Sequence, residues 1–429
     1  MASSSTMSAF AIDQMALTVH AADGFPIAAH RFAPTSHASA RAVVVIVNAT
    51  GVQARFYHDW ACWLAMQGVA AYTLDFRYSG NSFPAEYAER LQAARGDEDA
   101  YAEIFEEALR SAPDDIGLMR TWCREDVAAV ARAAHASFPS VPMTFFGNSL
   151  GGHLITLLEP EMLAGFGVPV RFASVNGGNA HWRNHDTPEE SRFGFTEVII
   201  KPLHEERLFR ASSLGLGFDI PYGPGLDWIG WYTHPCFSLN QPDDEARAKA
   251  NVKRFKFQYF SFSDDVRIGR HMMHQHVSLF CGDDKQVSTI YIDPTKLDRW
   301  PMLGHVTCFR PTGPLKSVTA QEAVAGGPAD GEADEAGRAI RGGEGYEPTS
   351  QPAAPEDEER QLGREETLWP LWLDYILTGD FDTSVGEYKR WGDADARDCS
   401  ALRREEEEAR RVEEREAAQQ QEPAARARL

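Results

Sequence analysis

Two rhythms of apolar and polar positions run along the chain, one suited to strands and one to helices. Residues 16–32 alternate around Asp23-Gly24, with Leu17, Val19, Ile27 and Ala29 on repeating positions, which predicts a hairpin at a sheet edge. Ala42–Val47 is a near-continuous β-branched run, as a strand covered on both faces requires. Positions 56–67 carry apolar residues at helical spacing and stop at Gly68; 69–74 then predict a second buried strand. Residues 83–118 are more polar and predict helical excursions, 121–135 a helix, 143–146 a third strand and 172–175 a fourth. Strands alternating with helices predict an open, mostly parallel α/β sheet.

From about 179 to 243 the rhythm breaks into a stretch rich in aromatics, Pro and Gly. Because it follows a strand's C-terminal end, we read it as a lid over a site there, with Trp182, Trp228 and Trp231 as candidate substrate contacts. The plainer reading is a second packed layer of core. A strand at 255–262, a helix at 268–280 and a strand at 287–292 resume the pattern. Residues 313–366 are Gly, Ala, Pro, Glu and Asp with almost no large apolar side chain, the composition of a disordered insertion. A last core helix is expected at 367–379 and a charged tail at 380–429, with residues 1–15 as an N-terminal extension to a 16–312 domain.

Between the third strand and an apolar helical segment lies Gly147-Asn148-Ser149-Leu150-Gly151-Gly152. This G-x-S-x-G spacing suits a sharp strand-to-helix corner that pushes a hydroxyl out, with the Leu150 amide facing incoming negative charge. A serine hydroxyl needs a base, and the base needs a carboxylate to fix its tautomer. His305 follows the last strand in a Gly-His loop, and Asp264 or Asp265 ends the strand before it. Asp264 is preferred on register, since it comes directly after the alternating run; Asp265 would then bond locally or cap the next helix. A second oxyanion donor should come from the loop after the first buried strand, Thr50 if the turn begins at Asn48, with Ala49 and Gly51 as register alternatives.

The stretches Asn48-Ala49-Thr50-Gly51-Val52 with Phe56-Tyr57, Asp75-Phe76-Arg77-Tyr78-Ser79-Gly80-Asn81-Ser82, Trp122 with Asp126, the Ser149 corner, Ser263-Asp264-Asp265 and Leu303-Gly304-His305 together resemble the α/β-hydrolase superfamily. The likeness is greatest to its serine-aminopeptidase-like (S33, monoacylglycerol-lipase-like) branch of hydrolases and esterases, over about 15–310 plus the helix at 367–379. Two departures stand out: the 313–366 insertion, and Asn148 where many members carry His, a change expected to have little consequence. Asp75 is expected to brace its loop. The resemblance implies an ester or amide hydrolase that needs no cofactor, and the aromatic stretch suggests lipid-like acyl esters as substrate. An acyltransferase with the same triad, or a catalytically silent fold used as a binding module, are the alternatives.

The 429 residues carry a formal net charge of −21, which argues against nucleic acid or an anionic membrane as partner. Six scattered cysteines without a C-x-x-C pair predict reduced thiols in an intracellular, cytoplasmic protein. Neither a secretory signal nor an apolar run of spanning length is expected. His271, His274 and His276 lack a carboxylate at ligand spacing, so no metal is expected there. Ala427-Arg428-Leu429 follows the small-basic-Leu chemistry of the S-K-L address and suggests peroxisomal or glycosomal import, against a chance ending to an Ala/Arg-rich tail.

Overall fold

The computed structural model describes residues 11–282, 286–297, 302–310, 367–392, 395–405, 407–408 and 411. The expected N-terminal extension, the 313–366 insertion and the C-terminal tripeptide lie wholly or mostly outside them. Six parallel strands form the centre of the sheet: β3 (Ala42–Val47), β4 (Val69–Leu74), β5 (Met143–Asn148), β6 (Val170–Val175), β9 (Lys256–Phe262) and β10 (Val287–Ile292). Their spatial order is β4-β3-β5-β6-β9-β10. An antiparallel hairpin, β1 (Ile12–His20) and β2 (Pro26–Pro34), extends the β4 side, with β1 at the edge. On the far side β11 (Glu387–Trp391) pairs antiparallel with β10. Among the described residues the short β7 (Leu208–Phe209) and β8 (Ile220–Pro221) pair only with each other.

The central strands are hydrophobic because both faces are covered; β3 and β4 are buried along their whole length. One face receives the helices His58–Met66 and Trp369–Thr378, whose Trp60 and Trp372 rings meet Phe146 at 4.6 and 5.0 Å between centroids. The second of these helices fully buries Trp369, Trp372 and Tyr375. Each large apolar side chain removed from water contributes roughly 1.5–3 kcal/mol, so the chain gains by returning to the sheet beyond residue 366. The other face receives the helical run 118–137, the helix Leu150–Leu154 and the helix Arg270–Ser278.

β11 falls inside the stretch expected to be a charged tail. It is an edge strand, and charged side chains are what an exposed edge tolerates; only Trp391 is buried, its indole donating to Thr289 Oγ1 at 3.0 Å. A period-2 apolar signal is absent where a single side chain reaches the core.

Strand register aligns the carboxyl ends. Val47 lies opposite Gly147, Asn148 opposite Val175, and Val175 opposite Phe260. The chain leaves β3 for β4 on one side and β5 lies on the other, so the loops after β3 and β5 diverge at a switch in strand order, where open α/β sheets form their clefts. No helix among the described residues is long and apolar enough to cross a membrane.

Candidate active site

The corner after β5 is sharply bent. Ser149 has φ 50° and ψ −111°, outside the conformations an L-residue ordinarily adopts. Its amide donates to the Val175 carbonyl at 2.8 Å, and the helix Leu150–Leu154 begins at the next residue. Backbone packs on backbone here: a Cβ on Gly147 would lie 2.5 Å from the Gly152 nitrogen, and one on Gly151 2.6 Å from the Val47 carbonyl carbon. Glycine is therefore required at both places. Ser149 itself remains partly exposed.

His305 sits in the loop after β10, and its Nδ1 is 2.8 Å from Asp265 Oδ2. The imidazole is 14% exposed and that carboxylate fully buried, so the pair is largely shielded from water. The other Asp265 oxygen accepts from the amides of Arg267 and Ile268 at 2.8 and 3.1 Å. Asp264 faces elsewhere: its Oδ2 accepts from the amides of Leu303 and Gly304 at 2.7 and 3.0 Å. The preference for Asp264 as the partner of His305 is thus corrected to Asp265. Counting register past β9 assumed that the chain stays extended. Instead the Asp265 amide donates to the Phe262 carbonyl at 3.3 Å, a turn that swings residue 265 toward the histidine.

Two asparagines tie the histidine loop to the serine corner. Asn176, with φ 56° at the end of β6, donates through Nδ2 to the carbonyls of Gly304 and His305, both at 2.9 Å. Asn148 Nδ2 lies 3.3 Å from the same His305 carbonyl. Ser149 and His305 therefore share one rim of the sheet. Sequence reasoning missed Asn176; its signal is an asparagine, tolerant of the left-handed region, at a strand's carboxyl end. Asn148 was expected to matter little, yet it is fully buried and bonded.

In the loop after β3, the Ala49 amide donates to the Tyr57 hydroxyl at 3.0 Å. That removes Ala49 from the register alternatives for an oxyanion donor. The amides of Thr50, Gly51 and Leu150 have no protein acceptor among the described residues. Asp75 braces the same region: Oδ1 accepts from the Ala54 amide at 2.7 Å and Oδ2 from the Asn81 amide at 3.0 Å, while burial pushes its pKa up.

The three tryptophans proposed to touch substrate serve packing in this structure. Trp231 is 1% exposed, with the Phe237 ring at 5.8 Å and the Arg120 guanidinium at 5.9 Å. Trp228 stacks on Phe195 at 5.4 Å, and the guanidinium groups of Arg183 and Arg192 lie over the Trp182 ring at 4.4 and 4.9 Å. Packing of these rings, Trp182 and Trp231 buried and Trp228 half-buried, holds the 179–243 segment together. What does meet the β3 loop is backbone from 216–218: the Phe218 amide donates to the Gly51 carbonyl at 2.7 Å.

Among the described residues no group of three or more His, Cys, Asp or Glu side chains is placed to hold a metal. His276 is buried against His153, their ring nitrogens 3.3 Å apart, and His274 packs on Trp391. Burial drives the His153 pKa down to about 3 and that of His276 well below the ordinary value.

The strand order, with the serine corner after β5, the acid after β9 and the histidine after β10, defines an α/β-hydrolase fold. No protein-family model and no curated protein sequence matches the chain. Solved structures similar to it include DcsB in complex with its substrate analogue, at 12% identity over 69% of this chain and 92% of that one, TM-score 0.44. A thermophilic esterase from Thermogutta terrifontis shares 10% identity over 69% of this chain and 93% of its own, TM-score 0.36. The esterase domain of a Rhodothermus marinus protein shares 14% over 73% and 93%, TM-score 0.36. At these identities and TM-scores the likenesses add nothing to the fold, which the strand order gives.

Proposed function

We propose that the protein is a serine hydrolase of carboxylic esters that works through an acyl-enzyme. The observation that carries this reading is the hydrogen bond from His305 Nδ1 to Asp265, on a loop whose carbonyls are held beside Ser149. Ser149 Oγ attacks the acyl carbon while His305 Nε2 takes its proton. Asp265 keeps the proton on Nδ1, leaving Nε2 free to accept, and stabilises the imidazolium that forms. The negative charge on the former carbonyl oxygen meets the amides of Leu150 and Thr50, which have no protein acceptor among the described residues. His305 then returns its proton to the departing alcohol; water, giving a proton to the same nitrogen, attacks the acyl carbon, and Ser149 Oγ leaves and takes that proton back as the acid is released. The 179–243 segment, rooted after β6 and touching the β3 loop through 216–218, acts as the lid that limits water.

The test is labelling with a fluorophosphonate probe, followed by hydrolysis of acyl esters of graded chain length. Wild type should label and Ser149→Ala should not. Wild-type protein that stays unlabelled, or labels equally after the substitution, would overturn the reading. An alcohol acceptor added to the hydrolysis separates water from acyl transfer as the resolving step.

A further inference from the structure

Tyr57 lies outside the triad, yet its hydroxyl sits where three loops meet. It accepts from the Ala49 amide at 3.0 Å and donates to Asn148 Oδ1 at 3.0 Å. Asn148 in turn offers Nδ2 to the Val175 and His305 carbonyls, each at 3.3 Å. The chain of bonds thus runs from the oxyanion loop through the phenol to the residue before Ser149, and on to the main chain of His305. Tyr57 and Asn148 are both fully buried, and burial raises the phenol's pKa, so it stays neutral and keeps its proton to donate. The Tyr57 ring is itself fixed edge-on against Phe309, at 5.1 Å, just beyond the histidine loop.

We propose that Tyr57 and Asn148 are paired positioning residues that set, through one hydrogen-bonded relay, both the register of the oxyanion amides and the place of the His305 imidazole. The inference rests on the hydrolase reading above. Occupying the Ala49 amide leaves the next amides of the turn for the substrate oxygen. Fixing the His305 carbonyl complements Asp265, which fixes the ring alone. A hydrogen bond to a buried, rigid phenol suits this task because neither partner can relax into water when the bond is lost.

Because the two side chains act in series, their removal should not multiply. Tyr57→Phe should lower kcat about 10–100-fold with KM held within about twofold, measured at a temperature where the variant, destabilised by about 1–3 kcal/mol through its unpaired buried groups, remains folded. Asn148→Ala should do the same, and the double variant should be no worse than the poorer single one. Losses that multiply, a change confined to KM, or an unaltered kcat would each overturn the relay. A second readout does not depend on turnover: the proton on His305 Nδ1, observed by NMR in imidazole-labelled protein, should shift or broaden in Tyr57→Phe. An unmoved signal overturns the relay even if Ser149 proves silent. Absent labelling of wild-type protein with a shifted Nδ1 signal would instead sink only the hydrolase reading.

Discussion

Exchanging each of the neighbouring aspartates for asparagine separates their roles by orders of magnitude. In Asp265→Asn the amide oxygen is drawn to the Arg267 and Ile268 amides, which the native Oδ1 already serves at 2.8 and 3.1 Å. The NH2 then faces His305 Nδ1, where Oδ2 stood at 2.8 Å, and two donors cannot share that contact. The imidazole must move its proton to Nε2, the nitrogen that accepts from Ser149 in the proposed mechanism. A wrong tautomer in such a triad lowers turnover by about 10⁴, or about 5.5 kcal/mol at 1.36 kcal/mol per decade. In Asp264→Asn the single oxygen Oδ2 that takes both the Leu303 and Gly304 amides is replaced by an amide oxygen able to take them too. Only the charge assistance is lost, so stability should fall by about 1–2 kcal/mol and turnover less than about tenfold. Steady-state hydrolysis of a p-nitrophenyl ester, alongside thermal melts, reads both effects. If Asp264→Asn suffers the larger loss while Asp265→Asn stays active, the assignment from the 2.8 Å contact is wrong.

Other substitutions probe the surrounding structure. Trp231→Ala should cost about 3–5 kcal/mol of stability, as expected for a buried ring, with KM for a short ester little changed; a KM effect without destabilisation would restore the ring as a substrate contact. Gly51 has φ +68°, and a Cβ there would lie 2.7 Å from the Phe218 carbonyl oxygen, so Gly51→Ala should lower the melting temperature and kcat together; an unaffected variant would show that 216–218 does not bear on the β3 loop. The His153 imidazole, held at about 3 against 6.5 when unfolded, binds its proton more readily in the unfolded chain. Its depressed value therefore leaves stability intact above 6.5 and removes about 2 kcal/mol between pH 7 and 5. Urea midpoints should fall across that window and fall less steeply in His153→Gln; parallel slopes would refute the linkage.

Much of the fold is legible in local pattern. Unbroken apolar runs place the central strands because strands covered on both faces have no polar positions to spare, and the Asp23-Gly24 hairpin lies at the edge as its alternation predicts. The Gly147 and Gly151 requirement is equally local, since the close contacts arise within one turn and its adjoining strand end. The order of serine, acid and histidine along the chain, each after a strand, also follows from position alone. The packing role of Trp182, Trp228 and Trp231 does not, because an aromatic stretch has the same composition whether its rings face a cleft or one another.

The sequence by itself determined the parallel sheet, the strained corner at Ser149 and the few residues that could serve it, because backbone propensity, burial pattern and glycine sterics act over a handful of neighbours. Tertiary structure alone decided between Asp264 and Asp265, tied Tyr57 and Asn148 to the His305 loop, and paired the charged strand Glu387–Trp391 with β10. Those outcomes depend on where a turn points a side chain relative to groups 40 to more than 100 positions away, and short-range pattern carries no information on that.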